Sequence, residues 1–141
     1  LTDVREAVSE MRDTGAVDLS GALRTLVDGV PALHIRLQMP EPMCVGNSEL
    51  AHVLLRCTQE IITNAVRHAG ATTLDIELAL GDGNIRLHAR DDGQGSDAAD
   101  PGNGLRGLRE RVTALGGTVD IITGRGQGFA LDIRLPLENA A

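Results

Sequence analysis

Period-two apolar alternation in five segments, helical periodicity between them and Gly/Asp-rich joints predict a two-layer α/β (α+β) sandwich. Its sheet is expected to be mixed, largely antiparallel and five-stranded, covered on one face by about three helices. The alternation is single-sided, so one sheet face is covered by helices and the other meets water or a partner. The continuous apolar strands of a doubly wound parallel sheet are missing. At 141 residues and 42% apolar composition the chain suits one domain with its own core. Residues 14–141 are expected to form that domain, with residues 1–13 as an appendage.

Leu1, Val4, Val8 and Met11 recur at spacings of three and four, an apolar stripe on a charged helix too short to stand alone. Gly15 breaks that pattern. Asp18 or Ser20 can cap a second helix that runs to about Val30 and is ended by Gly29 and Pro31. From His34 to Met39, Ile35, Leu37 and Met39 alternate with Arg36 and Gln38 as a half-buried strand. Asn47 or Ser48 then caps a long amphipathic helix that reaches Ala69. After Gly70 the period returns to two. Leu74, Ile76, Leu78 and Leu80 form one strand, Gly81-Asp82-Gly83-Asn84 a hairpin turn, and Ile85, Leu87 and Ala89 the next strand. Residues 91–104 lack periodicity and read as a loop of functional length. Leu105, Leu108, Val112 and Leu115 stripe a helix stopped by Gly116-Gly117. Val119–Thr123 and Phe129–Leu135 are two last strands around a turn at Gly124 to Gly128.

Charge and composition narrow the function. A net charge of −7 argues against nucleic acid or an anionic membrane surface as a partner. Phe129 is the sole aromatic, so bases find no stacking platform. Cys44 and Cys57 lack metal-ligand spacing and read as reduced thiols. No stretch approaches the ~20 apolar residues of a membrane span. With no signal peptide and no initial Met, a cytoplasmic fragment of a longer protein is expected.

The chemistry concentrates in three places. On the long helix Glu60, Asn64, Arg67 and His68 share one arc, while Leu54, Thr58, Ile61, Ile62 and Ala65 share the opposite one. Oxygen ligands and cations on one face suit a metal-bound phosphate. Asp91-Asp92-Gly93-Gln94-Gly95 follows a strand directly. A simple Asp-Gly turn would explain it. So would a buried carboxylate that accepts from an exocyclic amine, with glycines admitting a ligand close to the backbone. Gly102-Asn103-Gly104-Leu105-Arg106-Gly107 matches the dinucleotide fingerprint in spacing only, because no strand precedes it and no βαβ unit surrounds it. What remains is a glycine-rich helix start, able to offer free N–H groups to phosphate, with Arg106, Arg109 and Arg111 adding charge.

The order of these features resembles the ATP-binding catalytic domain of sensor histidine kinases, a fold shared with Hsp90, DNA gyrase B and MutL. Residues 59–69 resemble that family's N box, 91–95 its first glycine box and 102–111 its second, the last most like the nitrate-sensor and DesK-like class. The resemblance spans about residues 18–137. It implies ATP and Mg²⁺ as ligands, with Asn64 holding the metal and Glu60 positioning the reacting water or acceptor. Arg67 and His68 would lie near the phosphates, Asp91 would read adenine, and Gly93 and Gly95 would flank the base. Gly102, Gly104 and Leu105 would belong to the lid and the phosphate-binding helix start. It further implies transfer of the γ-phosphoryl to a histidine on a separate dimerisation domain, of which residues 1–13 would be the last helix. The full-length protein would be a homodimer that relays to a response regulator. An anti-sigma-factor-type serine kinase, or a module of this fold that binds ATP without kinase activity, is the alternative. Two departures stand out: Phe129-Ala130 where the family often has Thr, and a short lid containing Asp97, Asp100 and Pro101.

Overall fold

Hydrophobic alternation sets the sheet, and the amphipathic helices cover its apolar side. The computed structural model describes residues 17–68, 71–93, 102–123 and 128–137. The expected helix at 1–13, Gly95 with the rest of 94–101, and the turn residues 124–127 lie outside them.

In chain order the elements are β1 (Val17–Asp18), α1 (Ser20–Asp28), β2 (His34–Gln38), β3 (Cys44–Val45), α2 (Ser48–His68), β4 (Thr73–Gly81), β5 (Asn84–Asp91), α3 (Gly102–Ala114), β6 (Thr118–Thr123) and β7 (Phe129–Pro136). Five strands make the main sheet in the order β2-β4-β5-β7-β6. Only β2 and β4 run parallel, joined through α2; the other pairs are antiparallel. The expected mixed, one-sided architecture is present.

On the inner face Leu74, Ile76, Leu78, Ile85, Leu87 and Ala89 are buried against Leu54, Leu55 and Ile61 of α2 and Leu105, Leu108 and Val112 of α3. Thr58 sits within this layer, its hydroxyl donating to the Leu54 carbonyl at 2.9 Å. The outer face is polar. Arg86 forks onto Asp132 at 3.2 and 2.9 Å, and Arg36 faces Asp75 at 3.6 Å. Asp82 and Gly83, both at positive φ, turn β4 into β5, as an Asp-Gly pair favours.

Sequence periodicity overlooks one small element. Val17–Asp18 pairs antiparallel with Cys44–Val45, strands too short to show a period. Asp18 fastens this ribbon, its Oδ1 accepting from the Ser20 N–H, the Ser20 hydroxyl and the Met43 N–H at 2.7–3.1 Å. It thereby does a cap's work from one residue before Leu19, the formal N-cap of α1. Asn47 caps α2 as expected, accepting from the Glu49 and Leu50 N–H groups. The helix α3 begins at Gly102, three residues before the first residue of its apolar stripe, because glycines in a first turn carry no periodicity.

Candidate nucleotide site at the end of β5

Asp91 is the last residue of β5 and points inward by the same alternation that buries Ile85, Leu87 and Ala89. It is only 4% exposed, the one buried carboxylate among the described residues. Its Oδ1 accepts from the Gly93 N–H at 2.9 Å, and the Phe129 N–H also donates to it. Burial nevertheless wins, pushing its pKa above the ordinary carboxylate value while the two backbone donors pull it down. A desolvated acceptor held at a fixed backbone position can discriminate an amine from a carbonyl, because the wrong partner leaves it unpaired.

Gly128 closes the other side. Its φ is +76°, and a Cβ there would come within 2.5 Å of the Asp91 carbonyl oxygen, so only glycine fits. The chain thus passes directly over the end of β5.

The long helix α2 presents its polar arc as expected. Glu60 and Asn64 are half-buried and one turn apart, and Arg67 is exposed beyond them. His68 is the last residue of α2, its side chain outside the described set. On the opposite side Leu54, Thr58, Ile61, Ile62 and Ala65 are all buried. Cys57 is buried as well, and desolvation pushes its thiol up to about 12, an inert small residue. The charges of Arg111 on α3 and Glu60 on α2 act on that thiol in opposite senses, the cation lowering and the carboxylate raising it. The Arg111 guanidinium folds back over Gly107, about 3.5 Å from where a Cβ would stand. Gly102 and Gly104 lie in the first turn of α3, and Leu105 is buried in the core. Leu105 therefore anchors the start of that helix through packing.

Two contributors escape sequence reasoning. Asp92 turns outward and takes hold of the neighbouring chain at Thr72 and Thr73. The only sequence cue is the Asp-Asp doublet, in which alternation must send one carboxylate in and the other out. The close approach of Gly128 has no local signature, since the clashing atom is 37 positions away in sequence.

This architecture is that of histidine kinase domains. The chain superposes on the histidine kinase domain of a blue-light activated histidine kinase from Erythrobacter litoralis with a TM-score of 0.80 at 22% identity, covering 95% of this chain and 71% of that one. It also superposes on the ATP binding domain of PrrB from Mycobacterium tuberculosis, with a TM-score of 0.69 at 22% identity over 86% of this chain and 95% of that one. Residues 50–139 match the histidine kinase-, DNA gyrase B- and HSP90-like ATPase family, and the chain belongs to it. Among curated relatives, the sensor histidine kinase ComP of Bacillus subtilis is 37% identical over 144 residues, 94% of this chain and 19% of its own length. The sensor histidine kinase LnrJ of the same species is 38% identical over 86 residues, 61% of this chain and 22% of its own. The chain thus spans about a fifth of each.

Proposed function

We propose that this domain binds Mg-ATP and transfers the γ-phosphoryl to a histidine on a dimerisation domain, as the catalytic part of a sensor histidine kinase. The observation that carries the reading is the buried, desolvated Asp91 at the end of β5, in a chain of this ATPase family. Asp91 accepts from the exocyclic amine of adenine, and Gly93 and Gly95 leave room beside the base. Among the described residues no three His, Cys, Asp or Glu side chains gather into a metal site. The magnesium would be held by the Asn64 amide oxygen together with phosphate oxygens and water, the usual arrangement for this hard, reluctantly dehydrated cation. The ion would neutralise charge developing on the transferred phosphoryl group. Glu60 orients the acceptor, Arg67 and His68 face the phosphates, and the start of α3 at Gly102 and Gly104 offers N–H groups to them.

Residues 1–13 end the dimerisation helix, and residues 14–141 form the catalytic domain. The longer protein works as a homodimer of the nitrate-sensor and DesK-like class and hands the phosphoryl to a response regulator. No described helix is long and apolar enough to cross a membrane. The sensor-kinase reading assigns the domain to the cytoplasm.

Nucleotide titration with and without Mg²⁺ on the unsubstituted chain, Asp91→Asn and Asn64→Ala tests the site. Asp91→Asn is expected to weaken ATP whether or not the metal is present, and Asn64→Ala to remove the benefit of Mg²⁺. ATP binding indifferent to Asp91→Asn would sink the assignment. For the activity, acid-labile phosphohistidine is expected only once a histidine-bearing dimerisation fragment is supplied; phosphoserine would favour the serine-kinase alternative.

A further inference from the structure

Asp92 is exposed, yet it is the most heavily engaged carboxylate near the site. Its Oδ1 accepts from the Thr72 N–H at 2.8 Å and the Thr73 N–H at 3.0 Å, and its Oδ2 from the Thr72 hydroxyl at 2.6 Å. These bonds begin where the β4–β5 ladder fades: the last antiparallel pair is Leu74 with Asp91, and the next backbone bond, Asp92 N–H to the Thr73 carbonyl, is long at 3.3 Å. The side chain replaces the backbone ladder with shorter, charge-assisted bonds. Thr72 is fixed from its other side too, its carbonyl accepting from the His34 N–H at 2.9 Å. Thr72 lies four positions after His68, the last residue of α2. One carboxylate therefore ties the chain leaving α2 to the residue next to Asp91.

We propose that Asp92 is a positioning residue for nucleotide recognition, holding the base-reading end of β5 in register with the phosphate-facing end of α2. The proposal rests on the reading of Asp91 as the adenine acceptor. Strong engagement favours the ionised form of Asp92, with the Thr72 hydroxyl the largest cause and the Thr73 and Thr72 N–H groups next, so the clasp persists below the pH at which an ordinary carboxylate takes up its proton. Asp91 needs such support because it sits at the last rung of its ladder, where a strand end frays first. A loosened clasp lets Asp91 shift away from the amine while leaving the helix layer intact.

The test compares ATP with purine riboside triphosphate, which lacks the exocyclic amine, by calorimetric titration of the 141-residue chain and its variants. Asp92→Ala is expected to reduce the preference for ATP by about tenfold, because the amine contact is the one that misaligns. Asp92→Asn is expected to retain most of it, since an amide oxygen still accepts from both N–H groups. A purely structural clasp would weaken both nucleotides equally and leave their ratio unchanged; that result in a folded Asp92→Ala protein overturns the proposal. Should Asp92→Ala not fold, Thr72→Ser against Thr72→Val decides. Preference retained in the serine variant and reduced in the valine variant supports the clasp, and equal preference in both overturns it. Absence of any ATP preference in the unsubstituted chain, or its persistence in Asp91→Asn, overturns the Asp91 reading and this proposal with it. A preference that depends on Asp91 but survives in Asp92→Ala overturns this proposal alone.

Discussion

Asp91 and Asp92 are neighbours in sequence and opposites in environment. Asp91 points into the core layer with two backbone donors, and burial raises its pKa. Asp92 points out, accepts from the Thr72 and Thr73 N–H groups and the Thr72 hydroxyl with little loss of water, and its pKa falls far below the ordinary carboxylate range. The number of hydrogen bonds alone does not set the sign. Desolvation does, because a charge stripped of water must be repaid by its donors in full, whereas an exposed one keeps its solvent and gains the donors as well. The inward carboxylate is costly to maintain ionised and so suits recognition; the outward one stabilises its surroundings and so suits bracing.

The largest expected effect breaks this pair at Asp91. Asp91→Asn should weaken ATP by about tenfold to a hundredfold, the range for losing a bond to a charged acceptor. Thermal unfolding should show little loss of stability, since relief of the buried charge offsets any weakening of the Gly93 and Phe129 N–H bonds when a single amide oxygen replaces the carboxylate. A marked fall in Tm would refute the view that Asp91 is held there at a cost.

Next comes Gly128→Ala, which presses on the Asp91 carbonyl and forces a strained φ. Denaturant unfolding should report a loss of about 1–3 kcal/mol. A stability equal to that of the unsubstituted chain would mean that the chain just before β7 yields at Gly128.

The two carboxylates should also separate by pH. The raised pKa of Asp91 means that the folded chain binds this proton more readily than the unfolded chain. Its stability penalty is therefore present above the folded pKa and relieved as pH falls through it towards the unfolded value. ATP affinity should decline over the same fall, at higher pH than an ordinary carboxylate would give, and Asp91→Asn should abolish that dependence. Asp92 has the opposite sign. Its stabilisation is present above the unfolded carboxylate pKa and is lost as pH falls through its depressed folded value. Titrating affinity and Tm in parallel should show affinity declining first.

The smallest effect is expected on the outer sheet face, where Arg86 and Asp132 form a bidentate but exposed pair. Arg86→Gln should shift Tm slightly, with the difference largely gone at about 1 M salt. A large, salt-resistant shift would show that this face contributes more than solvation.

The strands of the central hairpin were legible because Leu74, Ile76 and Leu78, then Ile85, Leu87 and Ala89, announce a buried face every second residue, although Leu80, expected to continue the first run, is exposed. The polar arc of α2 was legible for the same reason at helical period. Asp91 could be placed inward by continuing the alternation of β5. What stayed hidden depends on contacts between residues far apart in the chain. The clasp joins residues 19 and 20 positions apart, and the Gly128 approach brings the residue before β7 against the end of β5, which no local periodicity reveals. The β1–β3 ribbon was too short for its two-residue strands to declare a period. Glycines at the start of α3 hid that helix's first turn for the opposite reason, since they carry no side chain to place on a face.

The single parallel pair has a consequence for the order of folding. The strands β4 and β5 join through Asp82-Gly83 and need little loop closure, whereas β2 reaches β4 only after the whole of α2 has been laid across the sheet. Local pairings form before distant ones reward the entropy of closing their loops. The β4–β5 hairpin is expected to be an early nucleus and β2 a late addition. In pulsed hydrogen-exchange refolding, amides of β4 and β5 facing one another should gain protection before those that β2 shares with β4. The end of β5 that carries Asp91 would then be in place before the strand that completes the edge beside it.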